Sequence, residues 1–234
     1  MVQKLSDRAK GRERPSGIDT REVVIPPLGL GGTLSVPRGA SALVSFAHGS
    51  SSSRFSPRNK IVAEALNESG MATLLFDLLT TEEESDRANV FDIPLLAGRL
   101  ADAIRWLDRD PMLHRMAFGL FGASTGAAAA LVAASQLGPR VRAVVSRGGR
   151  PDLALSVLDR VVAPTLLIVG GADYGVIELN EQALAGLRGP KALEIVPGAS
   201  HLFPEPGAME AVVDRARRWF ERYLGMNANA ATPQ

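Results

Sequence analysis

Residues 118–126 read FGLFGASTG, and this stretch predicts the fold of the chain. An apolar run ends abruptly in a small polar turn, and an alanine-rich stretch typical of a helix follows at once. The pattern indicates a strand, a tight turn and a helix, with Ser124 at the tip of the turn. Gly122 and Gly126 carry no side chains, so the strand and the helix can approach closely around a strained serine. The N-terminus of the helix adds partial positive charge where an oxyanion would develop.

The composition is typical of one globular domain. Its 234 residues are 46% hydrophobic and 22% charged, which fits an α/β domain with a sizeable core. The net charge of +1 gives no strong field for nucleic acid or an anionic membrane. No apolar run reaches the ~18 residues of a membrane span. With no cysteine and three histidines, the sequence predicts no disulfide, no cysteine nucleophile and no metal site.

The two ends of the chain differ from its middle. Residues 1–17 are polar and of mixed charge, without the apolar region of a secretory signal, and we predict that they are disordered. Residues 18–225 are predicted to form a single domain, followed by a flexible tail over 226–234. We expect a cytoplasmic monomer or homodimer that acts on a small molecule, without a cofactor and without a nucleic-acid or membrane partner.

Apolar segments alternate with amphipathic ones along this domain, as a mostly parallel sheet with helices on both faces requires. The first two segments flank the glycine-rich turn 29–32 and read as an antiparallel hairpin. Segment 147–164, between the sixth and seventh strands, has room for one short helix and for no large lid. The predicted strands are 22–26, 33–37, 43–47, 72–76, 116–121, 143–146, 165–169 and 192–196.

A serine nucleophile needs a base, and His201 directly follows the last predicted strand. The carboxyl ends of parallel strands gather at one edge of a sheet, so we expect Ser124 and His201 to meet there. Asp173 follows the seventh strand and is the favoured third member, a carboxylate that orients the imidazole. The resulting chain order of Ser, Asp and His is the order of α/β-hydrolase triads.

Two backbone N–H groups are needed to bind the developing oxyanion. Thr125, the residue after the nucleophile, is predicted to supply one of them. The loop after the third strand reads HGSS over 48–51, and we expect the Ser50 amide to be the second donor, with Ser51 as the alternative. His48 precedes these serines and is expected to shape the loop by hydrogen bonding or to contact the substrate.

Together these motifs resemble the dienelactone-hydrolase-like branch of the α/β-hydrolase superfamily. The resemblance covers roughly residues 20–225. The chain is similar to bacterial hydrolases that occur either alone or fused to a phosphoribosyltransferase-like domain. From the length of this sequence we expect the hydrolase domain alone. The resemblance implies a three-layer α/β-hydrolase fold and carboxylic ester hydrolysis. In this superfamily the residue after the sixth strand occasionally supplies the acid, so Asp152 stays open beside Asp173. The stretches that carry the resemblance are 46–50, 53–59, 121–126, 146–150, 170–173 and 198–203.

The chain also departs from true dienelactone hydrolases. Those enzymes use a cysteine nucleophile where this chain has Ser124, and an arginine shortly after the catalytic histidine where this chain has Glu205. We therefore expect a substrate other than dienelactone. Arg54, Arg147 and Arg150 lie in predicted loops that should open towards the site. Recognition of an anionic group and simple loop packing are equally expected for them.

The sequence thus predicts a serine esterase, which cleaves an ester, thioester or lactone of a small acyl substrate through an acyl-enzyme. Two alternatives stay open at this point. One is a non-catalytic binding or regulatory domain that keeps the fold, since fold alone does not establish activity. The other is a perhydrolase or a carbon–carbon bond hydrolase that uses the same triad.

Overall fold

The structure is a computed structural model and describes residues 17–50 and 52–225. The predictions made for residues 1–16, Ser51 and 226–234 lie outside those residues. The strands are β1 (Ile18–Ile25), β2 (Leu30–Pro37), β3 (Ala42–Ala47), β4 (Ala72–Phe76), β5 (Ala117–Ala123), β6 (Val141–Arg147), β7 (Thr165–Gly170) and β8 (Lys191–Val196). The helices are α1 (Pro57–Glu68), α2 (Thr81–Ser85), α3 (Arg87–Val90), α4 (Ile93–Leu107), α5 (Thr125–Leu137), α6 (Tyr174–Gly186) and α7 (Ala208–Tyr223).

The strands form one mixed sheet in the order β1-β2-β4-β3-β5-β6-β7-β8. β1 and β2 make the predicted antiparallel hairpin, and β2 also runs antiparallel to β4. Every other neighbouring pair is parallel. The strand order reverses at β3, so the carboxyl ends of β3 and β5 flank the crevice where open α/β sheets bind ligands. The predicted α/β-hydrolase architecture is confirmed.

Helices cover both faces of the sheet, which explains why its central strands are almost continuously apolar. Leu100 of α4 and Leu131 of α5 are buried on one face, and Val62 of α1 and Phe220 of α7 on the other. All six residues of β3 are buried. The sheet is therefore a rigid base for the loops at its carboxyl edge.

α1 begins as the sequence predicts. The Ser56 hydroxyl accepts a hydrogen bond of 3.4 Å from the backbone N–H of Asn59, and Pro57 occupies the first helical position. Because α1 follows the loop that leaves β3, its N-terminus lies at the carboxyl edge of the sheet.

The short helices α2 and α3, between β4 and α4, were not predicted from the sequence. Thr80 caps α2 in a reciprocal arrangement with Glu83, and Asp86 caps α3. Between β6 and β7 the chain forms a single 3-10 helix, Pro151–Arg160, in agreement with the predicted short connection. Within residues 17–50 and 52–225, no helix combines the length and the apolar character needed to cross a membrane.

Candidate active site

Ser124 lies at the turn between β5 and α5, with a φ of 52° and a ψ of −123°. A residue with a side chain adopts this conformation at a cost of about 1–3 kcal/mol, so its surroundings must hold it there. Three backbone hydrogen bonds do so. The N–H of Ser124 donates to the carbonyl of Arg147 at 3.2 Å, and its carbonyl accepts from the N–H groups of Ala127 and Arg150. This is the strained turn expected of a nucleophile elbow.

The two glycines of the elbow allow three elements to touch. A Cβ placed on Gly122 would lie 2.4 Å from Cα of Ala127 in α5. A Cβ placed on Gly126 would lie 2.3 Å from the carbonyl oxygen of Ala47 at the end of β3. Both distances are far below van der Waals contact, so the close packing of β3, β5 and α5 depends on glycine at both positions.

His201 and Asp173 meet at the same edge of the sheet, after β8 and β7. Nδ1 of His201 lies 2.7 Å from Oδ2 of Asp173. A carboxylate accepts hydrogen bonds, so Nδ1 donates, and the neutral ring then has its acceptor lone pair on Nε2. The side chain of Asp173 is 16% exposed and that of His201 is 38% exposed. The carboxylate is therefore sheltered while the imidazole stays accessible.

Asp152, the alternative acid, has a different partner. Nε and Nη2 of Arg150 donate to its two carboxylate oxygens at 2.8 Å and 2.7 Å. This hydrogen bonding raises the pKa of Arg150. Among the described residues, the carboxylate bonded to His201 is that of Asp173.

The end of β6 lies between Ser124 and His201 and contacts both residues. Arg147 accepts the N–H of Ser124, and a Cβ placed on the next residue, Gly148, would lie 3.6 Å from Nδ1 of His201. The Ser124 hydroxyl makes no hydrogen bond to a residue that the structure describes. In unliganded sites such bonds are commonly long and tighten when the substrate binds.

The loop after β3 approaches Ser124 closely. A Cβ placed on Gly49 would lie 2.9 Å from Cβ of Ser124. The backbone N–H of Ser50, the predicted oxyanion donor, donates to the hydroxyl of Thr125 at 3.0 Å. Thr125 is the first residue of α5, so its own N–H is one of the unpaired donors at a helix N-terminus. The alternative donor, Ser51, lies outside the described residues.

His48 is buried and uses both ring nitrogens. The backbone N–H of Leu78 can only donate, so Nε2 of His48, at 3.1 Å, accepts. Nδ1 therefore carries the hydrogen and donates to the Gly49 carbonyl at 3.0 Å. Burial lowers the pKa of His48 and keeps the ring neutral. This geometry favours a role for His48 in shaping the loop.

Comparison with known proteins connects this geometry with a family. The family model of the dienelactone hydrolase family matches residues 58–229. The chain belongs to the dienelactone hydrolase family. A crystal structure of dienelactone hydrolase from Anabaena variabilis ATCC 29413 is 54% identical, with a TM-score of 0.86 over 89% of this chain and 99% of that one. Est1E from Butyrivibrio proteoclasticus is 15% identical, with a TM-score of 0.75 over 90% of this chain and 100% of Est1E, a likeness of fold.

Two curated relatives of this family member come from Mycobacterium tuberculosis, strains CDC 1551 / Oshkosh and ATCC 25618 / H37Rv. Each is 58% identical over 203 residues, which are 87% of this chain and 46% of the relative. Both bear the name "putative phosphoribosyl transferase". The chain spans about half the length of the curated relatives it matches.

The three predicted arginines of this dienelactone hydrolase family member differ in their partners. The backbone N–H and Nη1 of Arg54 bind the carboxylate of Asp77 at 2.9 Å and 3.3 Å, and Nη2 lies 3.5 Å from Glu22. Arg150 is paired with Asp152, as described above. Arg147 is buried, and the structure shows no carboxylate partner for it among the described residues.

A cavity of about 510 Å³ borders the loop after β3. Gly49 and Ser50 form its inner side, while the α2 and α3 segments, with Val90 and Phe91, form its outer wall. Its volume lies within the range of small-molecule sites in proteins. Sequence reasoning missed this outer wall, although Thr80 followed by Glu83 is a capping signature that could have indicated α2. Residues 17–50 and 52–225 contain no group of three or more acidic or histidine side chains placed to hold a metal ion.

Proposed function

We propose that this member of the dienelactone hydrolase family is a serine hydrolase that cleaves an ester, thioester or lactone of a small acyl substrate. The proposal rests on the 2.7 Å hydrogen bond between His201 and Asp173, at the edge of the sheet where Ser124 occupies the elbow. This bond orients the imidazole and leaves its Nε2 available for the proton of Ser124. The family's name supports hydrolysis as the reaction class.

In the first step, Oγ of Ser124 attacks the substrate carbonyl carbon while Nε2 of His201 takes the hydroxyl proton. The electron pair of the carbonyl double bond moves to its oxygen, which becomes the oxyanion. The carboxylate of Asp173 stabilises the imidazolium formed in this step. The N–H of Thr125, at the N-terminus of α5, donates to the oxyanion together with an amide of the loop after β3.

In the second step, the bond from the acyl carbon to the leaving oxygen or sulfur breaks, and His201 returns its proton to the leaving group. A water molecule then attacks the acyl-enzyme while His201 takes one of its protons. Collapse of this second oxyanion releases the carboxylic acid, and Ser124 regains its proton from His201. The cycle ends with the enzyme in its starting state.

The size of the cavity that borders the loop after β3 supports a small substrate. The cavity of about 510 Å³ beside Ser50 has room for a short acyl or alcohol group. The 3-10 helix Pro151–Arg160 is the one helix between β6 and β7, a connection too short to cover a long lipid chain. The Mycobacterium tuberculosis relatives are named for a transferase, but this chain matches only 46% of their length. The residues at the sheet edge of this chain support hydrolysis instead.

The decisive experiment is labelling with a fluorophosphonate probe followed by mass mapping. We expect the label on the peptide that contains Ser124, and we expect neither labelling nor hydrolysis of 4-nitrophenyl acetate by Ser124→Ala. Ser135→Ala, which changes a serine near the C-terminal end of α5, is the matched control and should still be labelled. If the folded wild type is not labelled, or if Ser124→Ala hydrolyses at the wild-type rate, the proposal is wrong and a non-catalytic domain or another nucleophile takes its place.

A further inference from the structure

Phe203 has a strained backbone close to the base of the proposed reaction. Its φ is 55°, and among residues 17–50 and 52–225 Ser124 is the other non-glycine residue with a positive φ. A bulky aromatic residue rarely adopts this conformation, which persists only where the surroundings impose it. The two strained residues are therefore the proposed nucleophile and a residue two positions after His201, the proposed base.

The side chain of Phe203 is anchored beneath the loop that carries His201. It is 1% exposed and belongs to the core on the face of the sheet that α1 and α7 cover. A Cβ placed on Gly148 at the end of β6 would lie 3.3 Å from Cε2 of Phe203 and 3.0 Å from the carbonyl oxygen of His201. The ring and the histidine backbone thus pack against the same glycine. Burial of a ring does not require a left-handed backbone, so burial alone does not explain the strain at Phe203.

Two hydrogen bonds close the loop around His201. The N–H of Phe203 donates to the carbonyl of Ser200 at 3.0 Å, which places His201 and Leu202 at the centre of a four-residue turn. Oε1 of Glu205 accepts the N–H of Ser200 at 3.0 Å, so the carboxylate closes the same loop from its far side. Oε2 of Glu205 is buried, which shows that the carboxylate is turned into the loop. Hydrogen bonding to Ser200 lowers the pKa of Glu205 and keeps this acceptor ionised.

The chain before His201 is attached in a different way. The carbonyl of Ala199 accepts the N–H of Ala172 at 2.9 Å, one residue before Asp173. This backbone bond joins the loop of the base to the loop of the acid. The attachment after His201 instead uses the side chains of Phe203 and Glu205, which substitution can remove.

We propose that Phe203 and Glu205 are positioning residues that hold the ring of His201 against the carboxylate of Asp173. Phe203 fixes the backbone through its buried ring, and Glu205 keeps the turn closed through the N–H of Ser200. The inference rests on the proposed function, because His201 is the base of that reaction. A small displacement of a catalytic group lowers the rate strongly, so two residues that act only through His201 can affect turnover.

The alignment of His201 is measured without turnover by long-range proton–nitrogen correlation spectra of the histidine rings. The spectra detect protons on ring carbons, so exchange with solvent does not remove the signals, and the chain has three histidines. His201→Gln assigns the signals of that ring. In alkaline buffer, where the ring is neutral, we expect one tautomer in wild type, with the proton on Nδ1. Glu205→Ala should show ring nitrogens averaged between the two tautomers.

Glu205→Gln and Glu210→Ala are the matched controls. Glutamine keeps an oxygen that can accept the N–H of Ser200, so this variant should retain most of the single tautomer. Glu210 is an exposed carboxylate in the first turn of α7, and its removal takes away the same charge. Averaging in wild type, a single tautomer in Glu205→Ala, or equal averaging in Glu210→Ala would each overturn the proposal.

Phe203→Leu tests the anchor beneath the loop. Leucine stays apolar but lacks the ring that reaches Gly148, so we expect averaged tautomers of His201 in a protein that is folded by circular dichroism. A wild-type spectrum of the folded variant would overturn the role of Phe203. If Phe203→Leu does not fold, Glu205→Ala and its two controls carry the test.

Kinetics connects this alignment with the reaction. With 4-nitrophenyl acetate, kcat of Glu205→Ala should fall about tenfold, comparable to the loss of one hydrogen bond, with KM nearly unchanged. Glu205→Gln should recover most of kcat, and Glu210→Ala should keep it. A lower Tm of Glu205→Ala with an unchanged kcat would indicate a purely structural role and overturn the proposal. Hydrolysis that persists in Ser124→Ala would reject the hydrolase proposal, while the spectra would still decide whether Phe203 and Glu205 align His201.

Discussion

The backbone N–H of Ser50 donates a 3.0 Å hydrogen bond to the hydroxyl of Thr125, which fastens the loop after β3 to the first residue of α5. Thr125 is a proposed oxyanion donor, and Ser50 lies in the loop proposed to supply the other donor, so the two sides of that site are bonded to each other before a substrate binds. The bond occupies the amide of Ser50, yet it leaves the hydroxyl hydrogen of Thr125 free to donate. Together with the hydrogen bonds of His48, this bond sets the position of the loop beside Ser124.

The first prediction concerns this bond. Thr125→Val keeps the shape of the side chain and removes the hydroxyl, so the loop loses its attachment. We expect kcat for 4-nitrophenyl acetate to fall about tenfold, with a smaller change in KM, because the bond serves the oxyanion more than the bound ester. Thr125→Ser restores the hydroxyl and should recover most of kcat. A wild-type kcat in Thr125→Val would show that the bond has no part in catalysis.

The second prediction separates the two candidate acids. Asp173→Asn keeps the size of the side chain but no longer fixes the tautomer of His201, so kcat should fall by about 10³-fold or more. Asp152→Asn disrupts the pair with Arg150 and should leave kcat within a few-fold of wild type. The measurement is kcat on one neutral ester, with circular dichroism to verify folding. A greater loss in Asp152→Asn would reverse the assignment.

The third prediction concerns pH and stability. Burial lowers the pKa of His48 from an ordinary value of 6.5, so an unfolded chain binds a proton at this residue more readily than the folded protein does. The stability that comes from neutral His48 is complete above about pH 6.5 and is lost as the pH falls towards the lowered pKa. The drop in Tm between pH 7.5 and 5.5 should therefore be smaller in His48→Gln than in wild type. The same drop in both proteins would show that His48 contributes nothing to acid sensitivity.

The fourth prediction compares alanine substitutions at two glycines, one beside Ser124 and one on a helix. A Cβ on Gly49 would lie 2.9 Å from Cβ of Ser124, so Gly49→Ala should displace the loop and reduce kcat/KM by about 10²-fold or more. Gly98 lies within α4, and a Cβ there would meet nothing within 4 Å. Gly98→Ala should raise the free energy of unfolding by about 0.5–1 kcal/mol and leave activity unchanged. Kinetics and urea unfolding of both variants test the prediction, which fails if Gly49→Ala retains full activity.

The fifth prediction concerns the cost of the unpaired charge. Arg147→Met replaces a buried cation by an apolar side chain of similar length, so we expect the free energy of unfolding in anion-free buffer to rise by about 1 kcal/mol. Urea unfolding measures this change. A marked loss of stability would instead mean that Arg147 supports the fold.

Much of the site could be predicted because its residues occupy positions defined by local sequence. Gly122 and Gly126 frame Ser124 within five residues, and the close contacts that demand them are between β3, β5 and α5. Asp173 and His201 lie a few residues after the ends of β7 and β8, and these two strands pair in parallel, so both residues come to one edge of the sheet. For these residues, local pattern and global fold agree.

The arginines could not be ranked in this way. From the sequence, Arg54 and Arg147 were both expected close to the site. Whether an arginine is neutralised depends on the carboxylates that the fold brings to it, as Asp77 is brought to Arg54. α2 and α3 were missed for another reason, since neither helix buries a residue and neither has an apolar periodicity to detect.

Those two helices affect how this protein can diversify. They form the outer wall of the cavity of about 510 Å³, yet neither buries a residue in the core. Substitutions at such exposed positions usually change stability by less than about 0.5 kcal/mol. A lineage, or a directed-evolution library confined to exposed positions of this wall such as Glu84, Ser85 and Arg87, can therefore change the cavity at little risk to folding. Ser124 and the hydrogen-bonded pair of His201 and Asp173 would stay unchanged during that divergence.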